Sequence, residues 1–188
     1  MNKIILPAST MLFPVPTVMV TCGSNETEHN IITIAWTGTI CSEPPMCYVS
    51  IRPSRYSHGI ISKNKEFVIN LTTAKIAAAM DWCGMRSGNK YNKFSETGLT
   101  KIPAKIVNVP MIMESPVNIE CKVKNILKLG THDMFIAEVV AVHANEDIVD
   151  IENRKIDLTK SELVCYSNTL YMQTDKIIGK HGFSLKNE

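Results

Sequence analysis

Five residues suited to holding a phosphate gather in one short stretch: Arg52, Ser54, Arg55, Ser57 and His58. Guanidinium forks and hydroxyls are the donors a phosphate dianion takes. The run from Ile60 to Asn64 reads as one or two turns of helix, whose first backbone N–H groups favour an anion. Just upstream, Ile32, Ile34, Trp36 and Ile40 alternate with Thr33, Ala35, Thr37 and Thr39. Period-2 alternation marks a half-buried strand. Its small, hydroxylated side would be a shallow shelf on which a flat polar heterocycle could lie. The chemistry implied is the binding of a ligand with a phosphate at one end and a flat ring at the other.

The elements that must position these groups follow from the same patterning. Thr17 to Cys22 reads as a first strand, ended by the turn cluster Gly23-Ser24-Asn25. A second begins at Asn30, and Pro44-Pro45 makes a corner because proline donates no ladder hydrogen bond. From Met46 to Arg52, Cys47, Val49 and Ile51 point inward, so Ser50 and Arg52 project together on the ligand side. Glu66 to Leu71 is a fourth strand. Thr73 is placed to cap a helix from Ala74 to Trp82, with Gly84 as its stop. Gly98 to Val109 looks irregular. A hairpin runs from Val117 to Leu127 and back from Met134 to His143, turning at Gly130-Thr131-His132-Asp133. On its first strand Asn118, Glu120, Lys122 and Lys124 are expected to form a wet face. Many short alternating strands separated by turn signals argue for antiparallel pairing.

The 188 residues suit one domain, taken as 1–188, with 45% hydrophobic and 20% charged residues. A net charge of +2, with lysines spread along the chain, gives no basic stripe for nucleic acid. No stretch approaches the ~18 apolar residues of a membrane span. Pro7, Pro14 and Pro16 interrupt the apolar N-terminal run, and no small-residue cleavage pattern follows, so it reads as a strand entering a barrel edge rather than a signal peptide. Six cysteines lack both C-x-x-C pairs and zinc-ligand spacing. No metal site is expected, and free thiols in a reducing cytoplasm are the default.

Asn30, Thr33, Ala35-Trp36-Thr37-Gly38, Pro44-Pro45, Ser50-Ile51-Arg52 and Arg55-Tyr56-Ser57 together resemble the flavin reductase-like, FMN-binding split-barrel family, in its flavoredoxin-like branch. The resemblance extends over nearly the whole chain. It implies a mainly β (α+β) fold, an antiparallel Greek-key split barrel with a few short helices, forming a homodimer with FMN at the subunit interface. By the same resemblance FMN is held by Asn30, Thr33, Ala35, Trp36, Thr37, Ser50, Arg52, Arg55, Tyr56 and Ser57. The segment with Asp81, Gly84, Ser87-Gly88 and Lys93-Phe94 would close over the flavin, adding Ser87 and Lys93. Lys93 is expected beside the flavin N1–C2=O edge, where a cation stabilises the reduced ring. His132 stands in a Gly-Thr-His turn where many relatives have Gly-Asp-His, and is the catalytic candidate facing the flavin and a bound nicotinamide. Tyr166, Tyr171 and Gly179-Lys180-His181-Gly182 resemble the branch's tail, which packs near the active site or across a dimer.

The activity so implied is an FMN-dependent oxidoreductase. It would pass electrons from NADH or NADPH through FMN to free flavin or a protein acceptor. No G-x-G-x-x-G fingerprint occurs, so a nicotinamide would stack on the exposed flavin face. Two alternatives stay open: an electron carrier with permanently bound FMN reduced by a protein redox partner, and a non-catalytic flavin-binding protein.

Overall fold

In the computed structural model, which describes residues 1–174 and 176–185, seven strands form one sheet. They are β1 (Val18–Cys22), β2 (Asn30–Ile34), β3 (Thr37–Cys41), β4 (Met46–Ile51), β5 (Glu66–Leu71), β6 (Val117–Lys128) and β7 (Asp133–Ala144). Their spatial order is β2-β1-β5-β6-β7-β4-β3, antiparallel throughout. The strands at the two edges, β2 and β3, are consecutive in the chain and joined only by Ala35 and Trp36. A flat seven-stranded sheet would separate its edges by ~28 Å, whereas such a link reaches only ~11 Å. The sheet therefore has to curl until its edges meet, and the result is an antiparallel split barrel.

The barrel interior takes one side of each strand. Val20, Ile32, Val49, Phe67 and Phe135 are buried there, with Ile60 and Ile61 from helix α1 (Tyr56–Asn64) packed against them. Cys47, Val49 and Ile51 face inward as their alternation predicts. On the outer side of β1 and β2, Met19 and Ile31 meet helix α2 (Ala77–Met85) and the short helix α3 (Lys93–Thr97), through Met80, Cys83 and Phe94. A third cluster joins Val68 to Val107, Val109 and Met111.

The structure departs from the patterning at three places. The expected strand from Asn30 bends at Ala35–Trp36, which resets its alternation: Ile34 is core, while Ile40 is exposed. Gly84 lies inside α2 rather than ending it, and the helix begins with a 3-10 turn at Ala74–Ile76 without a side-chain cap from Thr73. A Cβ at Gly84 would stand 3.2 Å from that of Thr33, so the glycine serves close helix–strand approach. The expected wet face of β6 is covered at its first half only, Lys122 and Lys124 keeping side chains that are 44% and 54% exposed. Glu120 is 0% exposed because residues 105–107 cross over it, and Asn118 is buried against Asn70 and the Ile112 carbonyl.

Candidate active site

Two adjoining cavities open where the edges of the sheet meet, and both are lined by Ile32, Arg52 and Arg55. The first, about 230 Å³, is built on the end of β2, the Ala35–Trp36 bend and the end of β4. It is lined by Thr33, Ala35, Trp36 and Ser50, with His132 and Tyr166 from the β6–β7 turn and the tail. The second, about 410 Å³, takes Asn30, Tyr56, Ser57, Ser87 and Lys93. Of the residues expected to hold the ligand, His58 and Thr37 line neither cavity, and the His58 ring instead meets the Asp133 carboxylate at 2.8 Å. The Thr37 side chain turns away as well. Its hydroxyl donates to the Tyr48 carbonyl at 2.6 Å, because the bend turns it away from the shelf that alternation gave it. The Thr33 hydroxyl likewise donates to the Met80 carbonyl, so the shelf is less free for hydrogen bonding than its composition suggests.

The second cavity is strongly cationic. Arg52, Arg55, Arg86 and Lys93 line it, with no aspartate or glutamate among its lining residues. Helix α1 starts at its wall, with Arg55 as N-cap, no side chain capping the helix and no acidic residue in the first turn. The first N–H groups of such an uncapped helix, together with its dipole, favour an anion. Asn30 Nδ2 donates to Ser57 Oγ at 2.7 Å, which orients the hydroxyl on the same wall. Gly88 packs so tightly there that a Cβ would fall 2.1 Å from Asn30 Oδ1. Lys93 is 3% exposed. Burial, together with the positive field of Arg55, brings its pKa down to about 8. The Cys83 thiol in the same wall is pushed up to about 11 by burial, which keeps it protonated and poorly nucleophilic.

Apart from Arg52, Arg55 and His132, the first cavity is lined by uncharged residues. His132 is partly buried, and its Nδ1 stands 2.9 Å from the Thr131 hydroxyl. Burial, then the charge of Arg52, lowers its pKa, so the neutral imidazole is favoured. Tyr166 packs against Phe13 at 5.8 Å between ring centroids, and Phe13 lies 6.2 Å from Trp36. This aromatic cluster forms because the strand Val15–Pro16 pairs with Val164–Ser167. Tyr166, Arg86 and Gly88 belong to the cavities but were not singled out as ligands. Tyr166 and Arg86 are far from the 30–58 stretch in sequence, and only strand pairing and the turn after α2 bring them in. A third cavity, about 410 Å³, shares Ala35, Trp36 and Ser50 and is otherwise lined by uncharged residues of the N-terminal arm, Tyr48 and Met134. Among the described residues no cluster suited to a metal ion occurs. Chemically, the arrangement can hold a dianion at one end and a flat uncharged ring at the other.

The curled antiparallel sheet is the fold of split-barrel flavin proteins. The chain belongs to the flavin reductase like domain family, which it matches over residues 10–171. Its fold is similar to that of the flavoredoxin of Desulfovibrio vulgaris (Miyazaki F), with a TM-score of 0.88 and 29% identity, covering 97% of this chain and 98% of that one. Flavoredoxin from Methanosarcina acetivorans shares the fold at a TM-score of 0.88 and 24% identity, covering 99% and 100% of the two chains. An NADPH-flavin oxidoreductase of Streptomyces viridifaciens is 23% identical over 133 residues, 70% of this chain and 67% of that one.

Proposed function

We propose that the protein is an FMN-binding oxidoreductase of the flavin reductase type, with the flavin ring in the first cavity and the phosphate in the second. The observation that carries this reading is the shared wall of Arg52 and Arg55, joining a cavity lined by cations without carboxylates to a shallow one lined by Trp36, Ala35 and Thr33. Arg55, Ser57 and the start of α1 bind the phosphate, and Lys93 adds charge there. Ala35, Trp36 and Ser50 shape the seat of the ring. When bound, FMN supplies a two-electron carrier between a nicotinamide donor and an acceptor. Neutral His132 hydrogen-bonds and orients an incoming nicotinamide, NADH or NADPH, without being needed to hold the flavin. The acceptor is free flavin or a protein redox partner.

Likeness to a flavoredoxin at 29% identity over nearly its whole length favours a second reading, an electron carrier whose FMN is reduced by another protein. Anaerobic stopped-flow reduction of the FMN-loaded protein separates the two. The enzyme reading predicts rapid bleaching of the yellow protein by NADH or NADPH, slowed in His132→Ala with flavin retained. No bleaching of the wild type by either nucleotide would hand the case to the carrier.

The reading extends to a homodimer, supported by the exposed apolar residues of the N-terminal arm and the tail, among them Ile5, Leu12, Leu170 and Ile178. Cytoplasmic residence is supported by six free cysteines. Among the described residues no helix is long and apolar enough to cross a membrane.

A further inference from the structure

His58 and Asp133 lie 75 residues apart in the chain and meet just behind both cavities, lining neither. His58 Nε2 and Asp133 Oδ2 are 2.8 Å apart, with side chains only 16% and 10% exposed. The imidazole stands edge-on to Phe135, at 5.2 Å between ring centroids, which restricts its rotation. We propose that this hydrogen bond makes His58 and Asp133 a positioning pair, setting the phosphate end of the site against its ring end. The inference rests on the reading of the second cavity as a phosphate site.

The connectivity on each side gives the pair this role. His58 belongs to the first turn of α1, and its own N–H donates to the Arg55 carbonyl at 2.9 Å. Movement of His58 therefore moves Arg55 and Ser57. Asp133 opens β7, directly after His132, and stands in register with Ile51, the residue before Arg52. One side-chain bond thus links the helix start that faces the anion to both Arg52 and His132. Groups that orient the residues touching a ligand act through geometry, and loosening them misplaces the contact without removing any donor. A phosphate needs several donors converging on one point, whereas the ring seat of Ala35, Trp36 and Ser50 does not depend on α1. Loss of the pair should therefore be felt mainly by the phosphate.

The test is equilibrium binding of FMN and of riboflavin, which lacks the phosphate, to the wild type, Asp133→Ala, His58→Phe and Asp133→Asn, with Arg55→Ala as reference. Phenylalanine keeps the packing on Phe135 while removing the hydrogen bond, so His58→Phe carries the test if Asp133→Ala fails to fold. The expected result is an FMN affinity roughly tenfold weaker in Asp133→Ala and His58→Phe, with riboflavin changed about twofold at most. Asp133→Asn, which can still accept from the imidazole, should stay near the wild type. Equal weakening of both flavins, or an Asn variant as damaged as the Ala variant, would reduce the pair to ordinary fold stability and overturn the proposal. Should Arg55→Ala lower the preference for FMN while the pair's variants keep it, this inference fails alone. Should Arg55→Ala also keep it, the phosphate reading fails and takes the pair with it.

Discussion

Lys93 donates to the carbonyls of Ile31 and Cys83 at 2.7 and 2.6 Å, leaving one of its three N–H groups for the cavity it lines. The sequence marked this lysine through family likeness, but as a neighbour of the flavin's N1 edge. It lines the same cavity as Arg55 and Ser57, because α3 packs against β2, and under the proposed function its charge acts on the phosphate. Its pKa of about 8 follows from that burial and carries two opposite pH dependences. The unfolded lysine titrates near 10.5. Between pH 8 and 10.5 the unfolded state binds more protons, so the stability of the flavin-free protein rises with pH across that window. Ligand affinity should run the other way. A phosphate dianion favours the protonated ammonium, so FMN binds most tightly below pH 8. Its affinity should fall by up to ~10-fold per pH unit above that. FMN is already fully dianionic there, its second phosphate ionisation lying near ~6. Fluorescence titration of FMN from pH 7.5 to 9.5 checks this: the slope should vanish in Lys93→Met and be absent for riboflavin. A wild-type affinity flat across that range would remove Lys93 from the phosphate site.

At the scale of elements, β6 and the segment crossing it are held by Glu120. Its carboxylate accepts N–H bonds from Lys105, Ile106 and Val107 at 2.9, 2.7 and 2.8 Å, and lies 2.5 Å from His143 Nε2. Burial alone would raise its pKa, but those donors outweigh it and hold the carboxyl below its ordinary value. Stability from a depressed acid is present above the unfolded pKa of 4.5 and is lost as pH falls through the folded value. Glu120→Ala should cost ~1–3 kcal/mol in urea unfolding at pH 7, because it strands the buried Val107 N–H and frees the part-buried N–H groups of Lys105 and Ile106. It should also flatten the loss of stability below about pH 4.5. A cost within ~0.5 kcal/mol, the range of surface substitutions, would show that the segment is anchored elsewhere.

Glu120 also shows why some of the fold was hidden in the sequence. Alternation along 117–124 located the strand, and Glu66–Leu71 was legible to the residue, since period-2 patterning reports local backbone directly. Alternation cannot report what lies over a polar face, so the irregular segment that buries Glu120 left no local signal. That Arg52, Arg55 and Ser57 line one cavity was legible because they are sequence neighbours. Arg86, Tyr166 and the His58–Asp133 bond depend on long-range pairing. Thr37 was misplaced on the shelf because the bend at Ala35–Trp36 is invisible to a period count.

At the scale of the whole molecule, the arm and the tail form a three-stranded sheet of Val15–Pro16, Val164–Ser167 and Leu170–Gln173 beside the ring cavity. They leave Ile4, Ile5, Leu12, Leu170 and Ile178 more than half exposed. Exposed apolar surface on this scale marks an interaction face. Sedimentation equilibrium should give twice the chain mass, and a monomer at micromolar concentration would contradict the dimer. The central proposal is that the cationic cavity holds the phosphate of a flavin whose ring lies next door. Its most direct test is binding of FMN and riboflavin to the wild type and to Arg55→Ala. A lost charge-assisted contact of ~1.5–3 kcal/mol corresponds to roughly 10- to 100-fold weaker FMN binding, with riboflavin, already weak, left nearly unchanged. Equal binding of the two flavins by the wild type, or an equal loss of both in Arg55→Ala, would contradict the account.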